Sequence, residues 1–273
     1  MIDLKRNSKK ELVPASGKRV RSSSIYTPNQ KKDFKISRGR FSNFLTCPRC
    51  FYLDRVVGLD EPGTPGWTLN ETTDLLLKQE FDVCRESQVP HRLFIENGLG
   101  YLVPFIHPDM DKWRDSLRHG LIHRFEDTNI ILTGGVDDIW QDTRDGRLIV
   151  VDYKSQANTK SLDAETYLSD AYHEGYKTQM DFYAYLLQQM GFEVTETAYF
   201  LVCNADRTAE GFFGEMKFSE TLIPYGWNTD WIPGKVSEMV ALMNQEEIPD
   251  AHPSCKNCAY ANQRNLLENP KHN

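Results

Sequence analysis

The stretch Gly134-Gly135-Val136-Asp137-Asp138-Ile139-Trp140, followed after a polar break by Leu148-Ile149-Val150-Val151-Asp152-Tyr153-Lys154-Ser155, decides how this chain folds. Both segments are β-branched and apolar, and the break Asp142-Thr143-Arg144-Asp145-Gly146-Arg147 carries the Asp-Gly pair of a hairpin turn. Two antiparallel strands are expected. Successive side chains of a strand point to opposite faces, so Asp152 and Lys154 emerge together with Tyr153 turned away, and pairing brings Asp137 beside them. An apolar strand that ends in a carboxylate and an ammonium is costly to bury unless something compensates, and a divalent cation between two carboxylates does so.

Working outward, Asn70 to Ser87 has the periodicity of an amphipathic helix, with Leu69, Leu76, Leu77, Phe81 and Val83 or Cys84 expected toward a core and Thr72-Thr73-Asp74 at its start. Pro90 to Met110 is punctuated by Gly and Pro and reads as mostly loop, and Asp111 to Phe125 reads as a helix. Beyond the hairpin, Asp163 to Met190 reads as helical in two pieces joined near Gly175, which places Gln179 and Tyr183 four apart on one helical face. Glu196 to Asn204 and Gly211 to Ser219 read as strands, and Trp231 to Asn244 as a last helix. The fold class is therefore α/β: a mixed central sheet with the hairpin at its middle and helices on its faces.

The 273 residues suit one elaborated domain with an appendage. Net charge is -7, yet residues 1–40 hold 12 Lys or Arg against 3 Asp or Glu. Residues 1–36 are expected to form a basic, disordered arm, either touching nucleic acid or simply solvated, with residues 37–273 forming the folded domain. No apolar run is long enough to span a bilayer and the first residues lack the apolar core of a signal peptide, so a cytoplasmic protein without a membrane partner is expected. In such a compartment six cysteines do not read as a disulfide frame.

Phosphodiesters resist hydrolysis because their charge repels nucleophiles and their alkoxide leaving group is poor. A Mg²⁺ or Mn²⁺ ion on hard oxygen ligands addresses both difficulties. Asp137 and Asp152, with the backbone carbonyl of Tyr153, are the candidate ligands, and Lys154 would position or deprotonate the attacking water. A surface ion pair in an ordinary hairpin is the bland alternative for Asp152 and Lys154.

The whole arrangement, Gly134-x-Val136-Asp137-x-Ile139, then Val150-Val151-Asp152-Tyr153-Lys154-Ser155, then Gln179-x-x-x-Tyr183, resembles the PD-(D/E)XK nuclease superfamily. It is most similar to the branch of RecB-type and AddB-type exonuclease domains and the CRISPR-adaptation exonucleases. The resemblance implies a restriction-endonuclease-like fold, metal ligation by Asp137 and Asp152, catalysis by Lys154, and DNA or active-site support from Gln179 and Tyr183. It implies a metal-dependent exonuclease acting on single-stranded DNA ends, in repair or defence, with a helicase or integrase as partner. Asp138 is expected to face away. Members of this branch place a metal-binding His on an early helix, and Asp74 to Asp82 contains none. Glu80 or Asp82 would substitute, or the site binds metal with fewer side chains. A nucleic-acid-binding subunit that kept the fold but not the activity is the second reading.

Cys47-Pro48-Arg49-Cys50 and Cys255-Lys256-Asn257-Cys258 present two pairs of thiolates, the pattern of a zinc or iron-sulfur site, tying together segments about 200 residues apart. The resemblance implies a [4Fe-4S] cluster, although there it is held by one early and three late cysteines. The two-and-two division here keeps structural Zn²⁺ as a rival. His119 and His123, four apart on an expected helix, read as a solvated face.

Overall fold

The computed structural model describes residues 4–63, 66–159 and 162–269. The chain divides into two compact units, one of Met1–Gly66, Arg124–Leu132 and Pro233–Asn273, the other of Trp67–His123 and Thr133–Ile232. In chain order the first unit begins with β1 (Phe34–Ser37), α1 (Arg38–Thr46) and α2 (Pro48–Tyr52). Then follow α3 (Thr68–Ser87), α4 (Arg92–Glu96), β2 (Leu102–Pro104), α5 (Met110–Arg114), β3 (Leu121–Arg124), β4 (Ile130–Gly134), β5 (Asp138–Asp142) and β6 (Leu148–Gln156). The remainder is α6 (Ala164–Ser169), α7 (Glu174–Gln189), β7 (Thr197–Ala205), β8 (Phe218–Gly226), α8 (Trp231–Asn244) and α9 (Lys256–Glu268).

In the second unit five strands form a sheet in the order β2-β5-β6-β7-β8. β5 and β6 are the expected hairpin, antiparallel with Asp138 opposite Val151 and Trp140 opposite Ile149. β6 runs parallel to β7, and α6 and α7 make the crossover that a parallel pair requires. Leu148 to Tyr153 are buried without interruption, as a central strand covered on both faces must be. Ile149, Val151 and Tyr153 join Leu77 and Phe81 of α3, Phe94 and Trp140 in one hydrophobic core cluster. Phe81 stacks on Trp140 with ring centroids 5.4 Å apart. On the opposite face, α7 approaches so closely that a Cβ at Gly134 would lie 2.6 Å from the Tyr183 ring. Glycine is needed there for want of space.

The short elements differ from expectation. Pro90 to Met110 contains α4 and the edge strand β2, and Asp111 to Phe125 is not one helix but α5 followed by β3, which leaves His119 in the connecting loop and His123 in a strand. β8 starts at Phe218, well beyond Gly211, and α9 was not expected. Among the described residues no helix is long and apolar enough to cross a membrane.

In the first unit Tyr26, Phe34 and Ile36 are buried, although they fall in the stretch expected to be a basic arm. Tyr26 packs edge-on against Phe34, and its hydroxyl bonds to the Asn244 Oδ1 at 3.0 Å, so isolated apolar groups anchor an otherwise polar segment. Asp54 is buried among Arg19, Arg40 and Arg55. Burial alone would raise its carboxyl, but the guanidinium groups of Arg55, Arg40 and Arg19 outweigh that and hold it below the usual range.

Gly134→Ala is expected to destabilise the protein by about 1 to 3 kcal/mol, because the Tyr183 ring and its neighbours cannot all yield. Gly175→Ala in α7, where a Cβ meets nothing within 4 Å, is expected to stabilise by up to about 1 kcal/mol. Denaturant titration of both variants measures the contrast.

Candidate active site

The hairpin delivers two carboxylates to one place. Asp137, just before β5, accepts the Tyr153 backbone N–H at 2.8 Å. Asp152 is completely buried: one oxygen accepts the Gln179 amide at 2.5 Å, and the other is bonded by the Lys154 ammonium. The Gln179 amide also donates to the Tyr183 hydroxyl at 3.2 Å, as their four-residue spacing on α7 allows. Burial pushes the Asp152 carboxyl above its ordinary range, the Asp137 charge pushes the same way, and Lys154 opposes both. All five residues are therefore brought together.

A third carboxylate joins them from α3. Lys78 Nζ lies 2.8 Å from Asp74 and 3.9 Å from Asp137, and burial and the Asp137 charge both raise the Asp74 carboxyl. Glu80 is not in this cluster. Six residues, or about one and two-thirds helical turns, past Asp74, it points elsewhere and accepts from His91 at 2.9 Å and Arg92 at 2.8 Å. Arg92 also pairs with Glu220. Asp82 is held by Arg85 and Arg114. The early-helix acid facing the hairpin is thus Asp74, which sequence reading used only as part of a helix start. Its signal lay in its spacing to Leu77 and Phe81, three and seven residues on, which puts it at the edge of the buried stripe.

The other face of the hairpin carries a different charge cluster. Asp138, fully buried, accepts from Arg85 at 2.5 Å, Arg114 at 2.9 Å and the Tyr153 hydroxyl at 2.8 Å. It lies across the sheet from Asp152 because strand side chains alternate.

The profile of the PD-(D/E)XK nuclease superfamily matches residues 77–263. The chain belongs to this superfamily. No curated protein matches it. Members of the superfamily are nucleases, hydrolases of nucleic-acid phosphodiesters, and typically use divalent metals. The donor types here suit such an ion: Asp137 and Asp152 stand together at the end of the hairpin, Asp74 is linked to Asp137 through Lys78, and hard oxygens are what Mg²⁺ and Mn²⁺ bind, although the three carboxylates do not close up on one point as the four cysteines do.

In this PD-(D/E)XK protein the four cysteines of the two pairs also converge, all within the first unit. Their sulfurs lie within 4.8 Å of one another, with Cys47 to Cys258 at 3.8 Å, Cys50 to Cys255 at 3.6 Å and Cys50 to Cys258 at 3.4 Å. Burial would raise the Cys47 thiol, but backbone N–H groups of Cys50 and His252 and the neighbouring thiols outweigh it and lower it. The group can hold a metal. Cys84 and Cys203 stand apart from it.

Asp138→Ala removes the fully buried carboxylate shared by Arg85 and Arg114, leaving them the part-exposed Asp82, and is expected to cost about 3 to 5 kcal/mol. Glu80→Ala, whose carboxylate is half exposed, is expected to cost less than about 1 kcal/mol. Thermal or denaturant unfolding compares the two.

Proposed function

We propose that this protein is a Mg²⁺- or Mn²⁺-dependent deoxyribonuclease, working as an exonuclease on single-stranded ends. The observation that carries the reading is the grouping of Asp137, Asp152 and Lys154 at the end of a buried strand, with Asp74 linked to Asp137 through Lys78. These carboxylates, with the Tyr153 carbonyl, would hold the ion, which when bound neutralises phosphate charge and activates water. Lys154 orients or deprotonates the attacking water and offsets the charge that develops. Gln179 fixes the Asp152 carboxylate, and Tyr183 supports Gln179. The basic residues of 1–36 add non-specific attraction to the phosphate backbone. The single-strand preference, the exonucleolytic mode and a helicase or integrase partner rest on the resemblance to the RecB-type and AddB-type branch.

The cysteine site is read here as a single structural Zn²⁺, not the [4Fe-4S] cluster that the resemblance implies. A tetrahedral ion with Zn–S bonds of about 2.3 Å sets its sulfurs about 3.8 Å apart, which matches the separations of 3.4 to 3.8 Å. A cubane spreads its four thiolates over four separate irons, which needs wider spacing. The two-and-two cysteine pattern and the N–H groups donated to Cys47 agree with a zinc knuckle. Its role is to tie Cys47 and Cys50 to Cys255 and Cys258, so that loss of the metal loosens this unit.

End-labelled single- and double-stranded DNA should be degraded by the wild type in Mg²⁺ or Mn²⁺. Asp137→Ala, Asp152→Ala and Lys154→Ala should each lose about 10²-fold or more while remaining folded. Undiminished turnover in a variant removes that residue from the site, and DNA binding without cleavage by any of the proteins supports the binding-subunit reading. Elemental analysis should find one zinc per chain in colourless protein. Four irons in brown protein would overturn the zinc assignment.

A further inference from the structure

We propose that Tyr176 is a positioning residue for Lys154, and that a column of rings behind it sets where the ammonium stands. The inference rests on the reading of Lys154 as the catalytic lysine. A lysine is a point charge on a flexible four-carbon stem, so the position of its nitrogen must be imposed by its surroundings. Two contacts impose it here. Asp152 accepts from the ammonium along one direction, and the Tyr176 ring lies under it with Nζ 4.6 Å from the centroid. The Lys154 side chain is only 16% exposed, so the cation meets the ring in a largely dry setting where such a contact is strongest.

Tyr176 is itself backed by stacked rings. His173 stacks on Tyr176 at 5.2 Å with a 19° interplanar angle, and Tyr167 stacks on His173 at 4.0 Å and 29°. A 2.7 Å hydrogen bond between His173 Nδ1 and the Tyr167 carbonyl fixes the middle ring. Tyr167 is 2% exposed and rests against Phe200 of β7, at 5.7 Å. Phe200 is the residue paired with Asp152 in the sheet. The column therefore starts on the strand beside the carboxylate and ends under the lysine, so both partners of the Asp152–Lys154 pair are referred to the same rigid frame. Among the described residues the buried Tyr167 hydroxyl has no hydrogen-bond partner, and it is the ring of this residue that packs in the column. None of Tyr167, His173 and Tyr176 belongs to the motif that carried the resemblance.

The test compares Tyr176→Phe, which keeps the ring, with Tyr176→Leu, which removes it. In single-turnover and steady-state cleavage, Tyr176→Leu should lose about fivefold to tenfold in kcat with KM unchanged, and Tyr176→Phe should stay within about twofold of wild type. In the metal-free protein the Lys154 Hε protons should show an upfield ring-current displacement in NMR spectra of wild type and Tyr176→Phe, lost in Tyr176→Leu. A raised KM at constant kcat in Tyr176→Leu would overturn the proposal, since the ring would then be binding substrate. So would equal defects in the two variants, or Lys154 resonances indifferent to the ring. If wild type does not cleave, or Lys154→Ala cleaves as well as wild type, the nuclease reading fails and the NMR comparison alone decides whether Tyr176 places the ammonium.

Discussion

A carboxylate fully buried in an apolar strand is a demand on everything around it. Asp152 follows four aliphatic residues of β6 and has no solvent to carry its charge. Transfer of an isolated carboxylate to such surroundings would cost far more than a domain's net stability, so the fold must supply compensation. It does so from three directions: an ammonium two residues along the same strand, an amide from the crossover helix, and a position beside Asp137 that invites a cation. The last is the unusual one. Asp137 makes the electrostatic problem worse, and Asp74 adds to it from α3. The lysines Lys78 and Lys154 answer part of that excess. The proposed divalent ion would answer the rest.

The alternation of side chains along the hairpin separates this reactive face from a structural one. On the far face, Asp138 is held by Arg85, Arg114, the Ile139 backbone N–H and the Tyr153 hydroxyl, away from solvent. Adjacent aspartates thus have opposite fates. One is fixed between two guanidinium groups, and the other stays a quarter exposed, 3.9 Å from Lys78. The helix α3 serves both faces through its own period: Asp74 and Lys78 share one side, Leu77 and Phe81 bury themselves in the core, and Glu80 turns to His91 and Arg92.

What could be read from the sequence was whatever a short-range period controls. The hairpin, the shared face of Asp152 and Lys154, the turn of Tyr153 and Asp138 to the opposite, also buried, face, and the Gln179–Tyr183 spacing all follow from repeats of two or 3.6 residues. The paired cysteines were visible as a motif, and their meeting in space needed the fold. β2 and β3 escaped notice because they have three and four residues, too few for alternation to register. α9 has no buried residue, so no apolar stripe announced it. Asp74 was missed because helix starts favour Asp for capping, which hid its second position beside Asp137. The Tyr167–His173–Tyr176 column was illegible for a different reason: it is assembled across a turn between two helices, where no fixed period relates the rings.

Uptake of a divalent cation by Asp137 and Asp152, with Asp74 beside them, is the central proposal, and direct titration with Mn²⁺ in the absence of DNA tests it most plainly. Electron paramagnetic resonance of free Mn²⁺ should report saturable binding to the wild type, strongly weakened in Asp152→Asn and in Asp74→Asn and unchanged in Glu80→Gln. Equal Mn²⁺ binding by wild type and Asp152→Asn, or no binding by either, would contradict it.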